Sequence, residues 1–269
     1  LHETALKRIF GSPDLYNPQY RGGGNASVNF LTCHDGFTLC DLYSYNQKHN
    51  EANGWNNTDG CDDNHSWNCG EEGETSNPEI LRLRLKMMQN ACALLMCSRG
   101  TPMFLSGDEF ADTRLATTIH TVRITKSLAG LESAVQNQAL FAFFQYMIAF
   151  RKQHPSIRRD LEPSYTSYPS MSSHRLTSEP PVPSSDSHTA CVMFSGFDEK
   201  TGQEDLVFLA VNAHWIAKQL VLPSLPNGYV WKIAVNTGDL LHQTFPGTIC
   251  RLQDRLFCWE SDLLSYLQA

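Results

Sequence analysis

Two places in the chain put ionisable side chains at the carboxyl end of an apolar run, where a strand stops and a loop begins. These are His34-Asp35 after ASVNFLTC, and Asp108-Glu109 after TPMFLSG. In a parallel α/β barrel the carboxyl ends of the strands carry the active site. A histidine and an aspartate there can hold sugar hydroxyls and stabilise an oxocarbenium-like centre electrostatically. The same pair equally suits a hydrogen-bonded structural role, and Asp108-Glu109 equally suits the acidic start of a following helix. Cys61, His65 and Cys69 form a third constellation, but four-residue spacing in a loop lacks the tight pairing of structural zinc sites. No metal and no cofactor are expected.

The elements that position these groups follow from pattern. Residues 26–34 read as a buried parallel strand. Residues 45–77 are Asn/Gly/Asp/Glu-rich without periodicity, and a loop of that length in a compact domain is usually functional or disordered. Tyr45, His49, Trp55 and Trp67 lie within it, which favours function, since disordered segments are poor in aromatics. A helix then starts at Asn77 (N-cap), Pro78 and Glu79, with the stripe Leu81, Leu85, Met88, Cys92, Leu95, and ends at Gly100. The second strand, 101–110, completes a parallel βαβ unit. Another helix spans about Leu140 to Gln153, with Phe144, Met147, Ile148 and Phe150 on its apolar face. After residue 160 the Ser/Pro/Tyr-rich segment 163–188 leads into strand-like runs TACVMFSGF, DLVFLAVNAHW, KQLVLPSL and YVWKIAVNTG, the pattern of a β-sandwich.

With 41% hydrophobic residues the chain has ordinary globular composition for one large or two modest domains. A net charge of −7 argues against nucleic acid or an anionic membrane as partner. No apolar run reaches the length of a membrane span. The nine cysteines form no C-x-x-C and are scattered through apparent strands and helices. That pattern suggests reduced thiols, hence a cytoplasmic location.

The stretch SPDLYNPQYRGGGNASVNFLTCHDGFTLCDLYSYNQKHNEANGWNNTDGCDDNHSWNCGEEGET, with RGTPMFLSGDEF, resembles the isoamylase and glycogen-debranching branch of the α-amylase superfamily. NFLTCHDGFTL is similar to that superfamily's last conserved motif, after the seventh barrel strand. HNEANG and SWNCGEEG are similar to the long loop that follows, GTPMFLSGDEF to the eighth strand, and FFQYMIAFRKQHPSIR to the eighth helix. The resemblance implies an α/β fold, the C-terminal portion of a (β/α)8 TIM barrel over residues 1–160, followed by an all-β sandwich over 161–269. It implies retaining hydrolysis of α-1,6 linkages in a branched α-glucan, with Asp35 as transition-state stabiliser and His34 beside it. His49, Asn50, Asn53 and Trp67 are the expected substrate-binding residues. The family's nucleophilic Asp and acid/base Glu belong to motifs upstream of those present, so residues 1–269 alone are expected to be inactive. A non-catalytic α-glucan-binding module is the alternative.

The resemblance breaks at 114–136, where the family has a run of the form GNNNxYCQxNEIS and this chain reads RLATTIHTVRITKSLAGLESAVQ. Read one frame over, Ala116 to Leu128 can spell GNNNTYCQNNEIS; ACA-ACA-ATA, for instance, contains AAC and AAT. Residues 253–269 can be re-read likewise, and 171–185 is a weaker third case. Both are expected to be frame-shifted and irregular, a divergent insert being the alternative that resequencing the DNA decides.

Overall fold

A computed structural model describes residues 2–17, 19, 23–119, 137–175, 188–214, 216–225, 227–237, 249–252 and 256–263, the last two segments as backbone. The chain divides into two compact units. One comprises Leu1–Val28, Cys97–Thr101 and Phe150–Ala269, the other Asn29–Met96 and Pro102–Ala149. Residue 160, where sequence places a boundary, lies inside the first unit.

The βαβ expectation appears in compact form. Strands β1 (Val28–Asn29) and β2 (Thr101–Pro102) form a two-stranded sheet, each shorter than its apolar run. Thr101 N–H donates to Ser27 O and Met103 N–H to Asn29 O, both at 2.8 Å. Bonds that advance together along both strands are the signature of a parallel pair. Helix α1 (His2–Ile9) precedes them, and a four-residue helix α2 (Leu39–Leu42) follows the first turn. Between the strands runs α3 (Pro78–Met96), whose start matches its signals: Asn77 Oδ1 accepts Glu79 N–H at 3.0 Å. Met88, Cys92 and Leu95 are buried as the stripe predicts, whereas Leu81, in the first turn, is exposed. The stripe also carries Arg84, a buried cation that hydrophobic periodicity does not reveal. Helix α4 (Gln138–Gln153) buries Leu140, Phe144 and Met147, with Phe104 against Phe144 at 5.2 Å. It ends before His154, and the short α5 (Pro155–Arg158) begins on Pro155.

The β-rich part is antiparallel throughout. Strands β3 (Met171–His174), β4 (Thr189–Asp198), β5 (Gln203–Asn212), β7 (Tyr229–Asn236) and β9 (Leu256–Leu263) form one sheet in the order β3-β4-β5-β9-β7. β6 (Lys218–Val221) and β8 (Ile249–Leu252) pair separately. One face of the larger sheet packs Cys191, Met193, Leu206, Phe208, Ala210, Trp231 and Ile233 against Leu220 and Leu222. Val192, Phe194, Val207 and Leu209, which alternate with these, are buried too, so β4 and β5 are covered on both faces.

The expectation for residues 253–269 needs correcting. Leu256–Leu263 is regular, pairing with β5 (Phe208 opposite Trp259) and with β7 (Trp231 opposite Ser261). The run LFCWESDL opens on aromatic and apolar residues with strand character, whatever its coding history. Met171–His174 is likewise a strand. Residues 120–136, 176–187 and 264–269 lie outside the described residues.

Candidate functional site

The turn that carries His34-Asp35 is built from below by a buried carboxylate. Asp108 is 1% exposed. Its Oδ2 accepts Thr32 Oγ1–H at 2.5 Å and Leu105 N–H at 3.0 Å, and its Oδ1 accepts Leu39 N–H at 2.8 Å. One side chain therefore ties both ends of the 32–39 turn to the segment after β2. Burial pushes its carboxyl upward, against the opposing effect of those hydrogen bonds. Gly36 sits at φ +93°, and a Cβ there would meet Asn64 Oδ1 at 2.8 Å; that same oxygen accepts Phe37 N–H at 3.3 Å. The turn projects its two chemical groups outward. The His34 and Asp35 side chains are 79% and 80% exposed, with Nε2 3.3 Å from Oδ2. Of the two sequence pairs, His34-Asp35 faces solvent and Asp108 positions it. Glu109 joins neither task, accepting Gly107 N–H at 2.8 Å in a short 3-10 turn.

The 45–77 loop starts on a small apolar cluster, Phe37, Tyr45 and Ala116 with Leu42 against them, and is pinned beyond it by polar side chains. Arg84 donates to the carbonyls of Gly73 (2.7 Å), Glu71 (2.5 Å) and Asn68 (3.2 Å). Glu72 accepts the backbone N–H groups of Asn46 and Gln47 and the Asn68 amide. Burial alone would raise its carboxyl, but these donors and His49 hold it below the ordinary value. His49 lies half-exposed, with Nε2 3.6 Å from Glu72 and Nδ1 3.8 Å from Glu51, its ring edge-on to Tyr45 at 5.5 Å.

The other expected contacts divide. Trp67 remains 41% exposed, anchored through its backbone N–H to Leu42 O. Asn53 is half-buried and donates to Asp59 Oδ2 at 3.0 Å. Asn50 is fully buried. Its amide nitrogen donates to Asp59 O and Thr118 Oγ1, and its oxygen accepts Thr118 N–H at 3.0 Å. A side chain so spent builds the loop and offers a ligand nothing, which corrects its expected substrate role. Sequence reading passed over Asp41, buried in α2, which accepts Thr113 Oγ1–H at 2.5 Å and Arg114 N–H at 2.9 Å. It also passed over the structural use of Glu72 and Arg84. Only the Thr38 N-cap beside Asp41 hinted at any of these. Among the described residues no cluster of three or more His, Cys, Asp or Glu side chains is arranged to hold a metal ion, and no helix is long and apolar enough to cross a membrane.

Relatives share this arrangement of sequence. Isoamylase 3 (chloroplastic) of Oryza sativa subsp. japonica is 38% identical over 240 residues, 86% of this chain and 28% of that protein. A glycogen operon protein GlgX homologue of Mycobacterium bovis is 47% identical over 153 residues, 56% of this chain and 21% of that protein. No protein-family model matches the chain. Among solved structures, apo pullulanase from Paenibacillus barengoltzii superposes with a TM-score of 0.63 at 20% identity, covering 96% of this chain and 33% of that one. Pullulanase from Bacillus acidopullulyticus gives 0.59 at 17%, covering 96% and 26%. Identities that low speak to the fold alone. The chain spans about a quarter of the length of these curated relatives. Over that stretch the chain is homologous by sequence to isoamylases and to GlgX proteins of glycogen operons.

Proposed function

We propose that residues 1–269 are the C-terminal part of a debranching hydrolase that cleaves α-1,6-glucosidic branch linkages in a glycogen-like α-glucan by a retaining mechanism. On this reading β1, α3, β2 and α4 are the last barrel segments and the antiparallel sheet belongs to a β-sandwich. The observation that carries it is the presentation of His34-Asp35 on a pinned turn after β1, within a stretch homologous to isoamylases.

The geometry suits a supporting role. Retaining hydrolysis needs a nucleophile and an acid/base on either side of the anomeric carbon. Those two carboxylates would come from polypeptide outside residues 1–269. Asp35, presented outward by that turn, would accept hydrogen bonds from ring hydroxyls and favour the positively charged transition state, while His34 shares its turn.

The test is a hybrid in which residues 1–269 replace the matched stretch of a GlgX homologue, assayed for reducing ends released from glycogen. Residues 1–269 alone should release none. In the hybrid, Asp35→Asn should lower kcat by about 10²–10³-fold, as loss of a transition-state hydrogen-bonding group does. Undiminished hydrolysis in that variant would overturn the assignment. A second reading, a non-catalytic α-glucan-binding module, draws on the exposed Trp55 and Trp67 of the pinned loop. Glucan affinity in residues 1–269, with an inactive hybrid, would favour it.

A further inference from the structure

The antiparallel sheet carries a polar group that its own fold leaves unsatisfied. Glu204, at the start of β5, is 7% exposed. Its Oε1 accepts Tyr165 N–H at 2.6 Å, while Oε2 is buried without a hydrogen-bond donor. A buried carboxylate oxygen in that condition costs stability unless something else meets it. Its neighbourhood is aromatic. Tyr165 is 77% exposed, and its ring meets Phe197 edge-on, with centroids 5.1 Å apart and planes at 66°. Phe197 is the cross-strand partner of Glu204. The Tyr229 hydroxyl accepts Glu204 N–H at 3.3 Å, which leaves its own proton to donate. Together these groups set an unpaired acceptor, buried in the free chain, beside a hydroxyl and one exposed aromatic ring.

We infer that Tyr165, Phe197, Glu204 and Tyr229 form a second carbohydrate-binding site, on the β-rich part of the chain, that takes a glucose ring of an α-glucan. This rests on the α-glucan reading of the substrate and adds a contact to it that does not involve Asp35. A pyranose presents an apolar face for the Tyr165 ring and vicinal hydroxyls for Glu204 and Tyr229. The binding ring's hydroxyl supplies the donor that Oε2 lacks, as the exposed ring of Tyr165 shifts to stack on the sugar. A quaternary ammonium ligand would need aromatic faces on several sides. Here Phe197 turns its edge to Tyr165, so the site is a platform and not a cage.

The test is calorimetric titration of the whole chain with maltoheptaose in a His34→Ala/Asp35→Ala/Trp55→Ala/Trp67→Ala background, which removes the outward pair and the exposed aromatics of the first candidate site. Binding should persist there and weaken at least tenfold with Tyr165→Ala. Glu204→Gln keeps the acceptor for Tyr165 N–H but places an N–H₂ donor where Oε2 stood. It should weaken binding several-fold with an unchanged melting temperature. Absence of maltoheptaose binding in that background, affinity indifferent to Tyr165→Ala, or choline binding in place of maltoheptaose would each overturn the inference. Tyr165-dependent binding with an inactive hybrid enzyme would refute the debranching reading and leave this site standing; an active hybrid without Tyr165-dependent binding would do the reverse.

Discussion

The loop at residues 45–77 and the antiparallel sheet solve the same problem, holding backbone still, by opposite means. In the sheet, Val192, Met193, Phe194 and Leu206–Ala210 are buried almost without remainder, and order comes from apolar area removed from water. In the loop and the His34-Asp35 turn the apolar cluster is small (Phe37, Tyr45, Ala116), and most of the order comes from single polar side chains that each satisfy several backbone groups: Asp108, Asn50, Glu72, Arg84. Apolar burial is spread over many contacts and is non-directional. A polar pin is local and directional, and it leaves the residues around it free to face solvent. That is what a site for a hydroxylated ligand requires.

The contrast is broken most forcefully in the sheet. Phe208 is fully buried and touches the rings of His174 (5.5 Å) and Trp231 (6.1 Å). Phe208→Ala should cost about 3–5 kcal/mol, read as the loss of unfolding free energy in a urea titration. Backbone protection in residues 32–39 should change little beyond that global loss. A local loosening of the turn instead would show that the packing of the sheet, too, holds it.

Removing a pin should act the other way round. Asp108→Ala strands Thr32, Leu39 N–H and Leu105 N–H without an acceptor, at about 1–3 kcal/mol for each buried group left unpaired. Relief of a costly buried carboxylate offsets part of this, so the net loss should be about 2–4 kcal/mol. Hydrogen exchange at Leu39 and Leu105 should accelerate by more than exchange in β4 and β5. Asn50→Ala, which frees Thr118 N–H and Asp59 O, should cost about 1–3 kcal/mol and unprotect Thr118 first. Equal acceleration everywhere would mean that the pins act through global stability only.

Those two modes explain what could be read from sequence. The helix at 78–96 and the strands at 189–198 and 203–212 were legible because period and caps are local properties of residue type. The His34-Asp35 turn was legible from its place at the end of an apolar run. Asp41, Glu72 and Arg84 were not, because most of their partners lie 25 to 73 positions away or are backbone carbonyls, which carry no mark in the sequence. Asn50 shows the complementary error: a polar residue in a polar loop gives no sign that it points inward. The strand at 256–263 was not legible because LFCWESDL is apolar over four residues and polar over the next three, so it lacks the alternation that marks a strand.

The finest test uses pH, because the pins respond to it with opposite sign. Burial raises the carboxyls of Asp41 and Asp108 above their ordinary value of 3.8. For such a group the uncharged form is favoured on folding. Its stabilising contribution is therefore complete below 3.8 and is lost as pH rises through the folded-state value. Glu72, held below 4.5 by its hydrogen bonds, does the reverse, contributing above 4.5 and losing its contribution as pH falls through its folded-state value. A ¹³C-detected titration should place Asp41 and Asp108 above 3.8 and Glu72 below 4.5. The stability advantage of the native chain over Asp108→Asn should be largest in acid and shrink as pH climbs past the Asp108 midpoint. A pH-independent difference would mean that Asp108 titrates as an exposed carboxyl does. The turn beneath His34-Asp35 would then be held by Asn64 and the backbone of Gly36, with Asp108 a bystander.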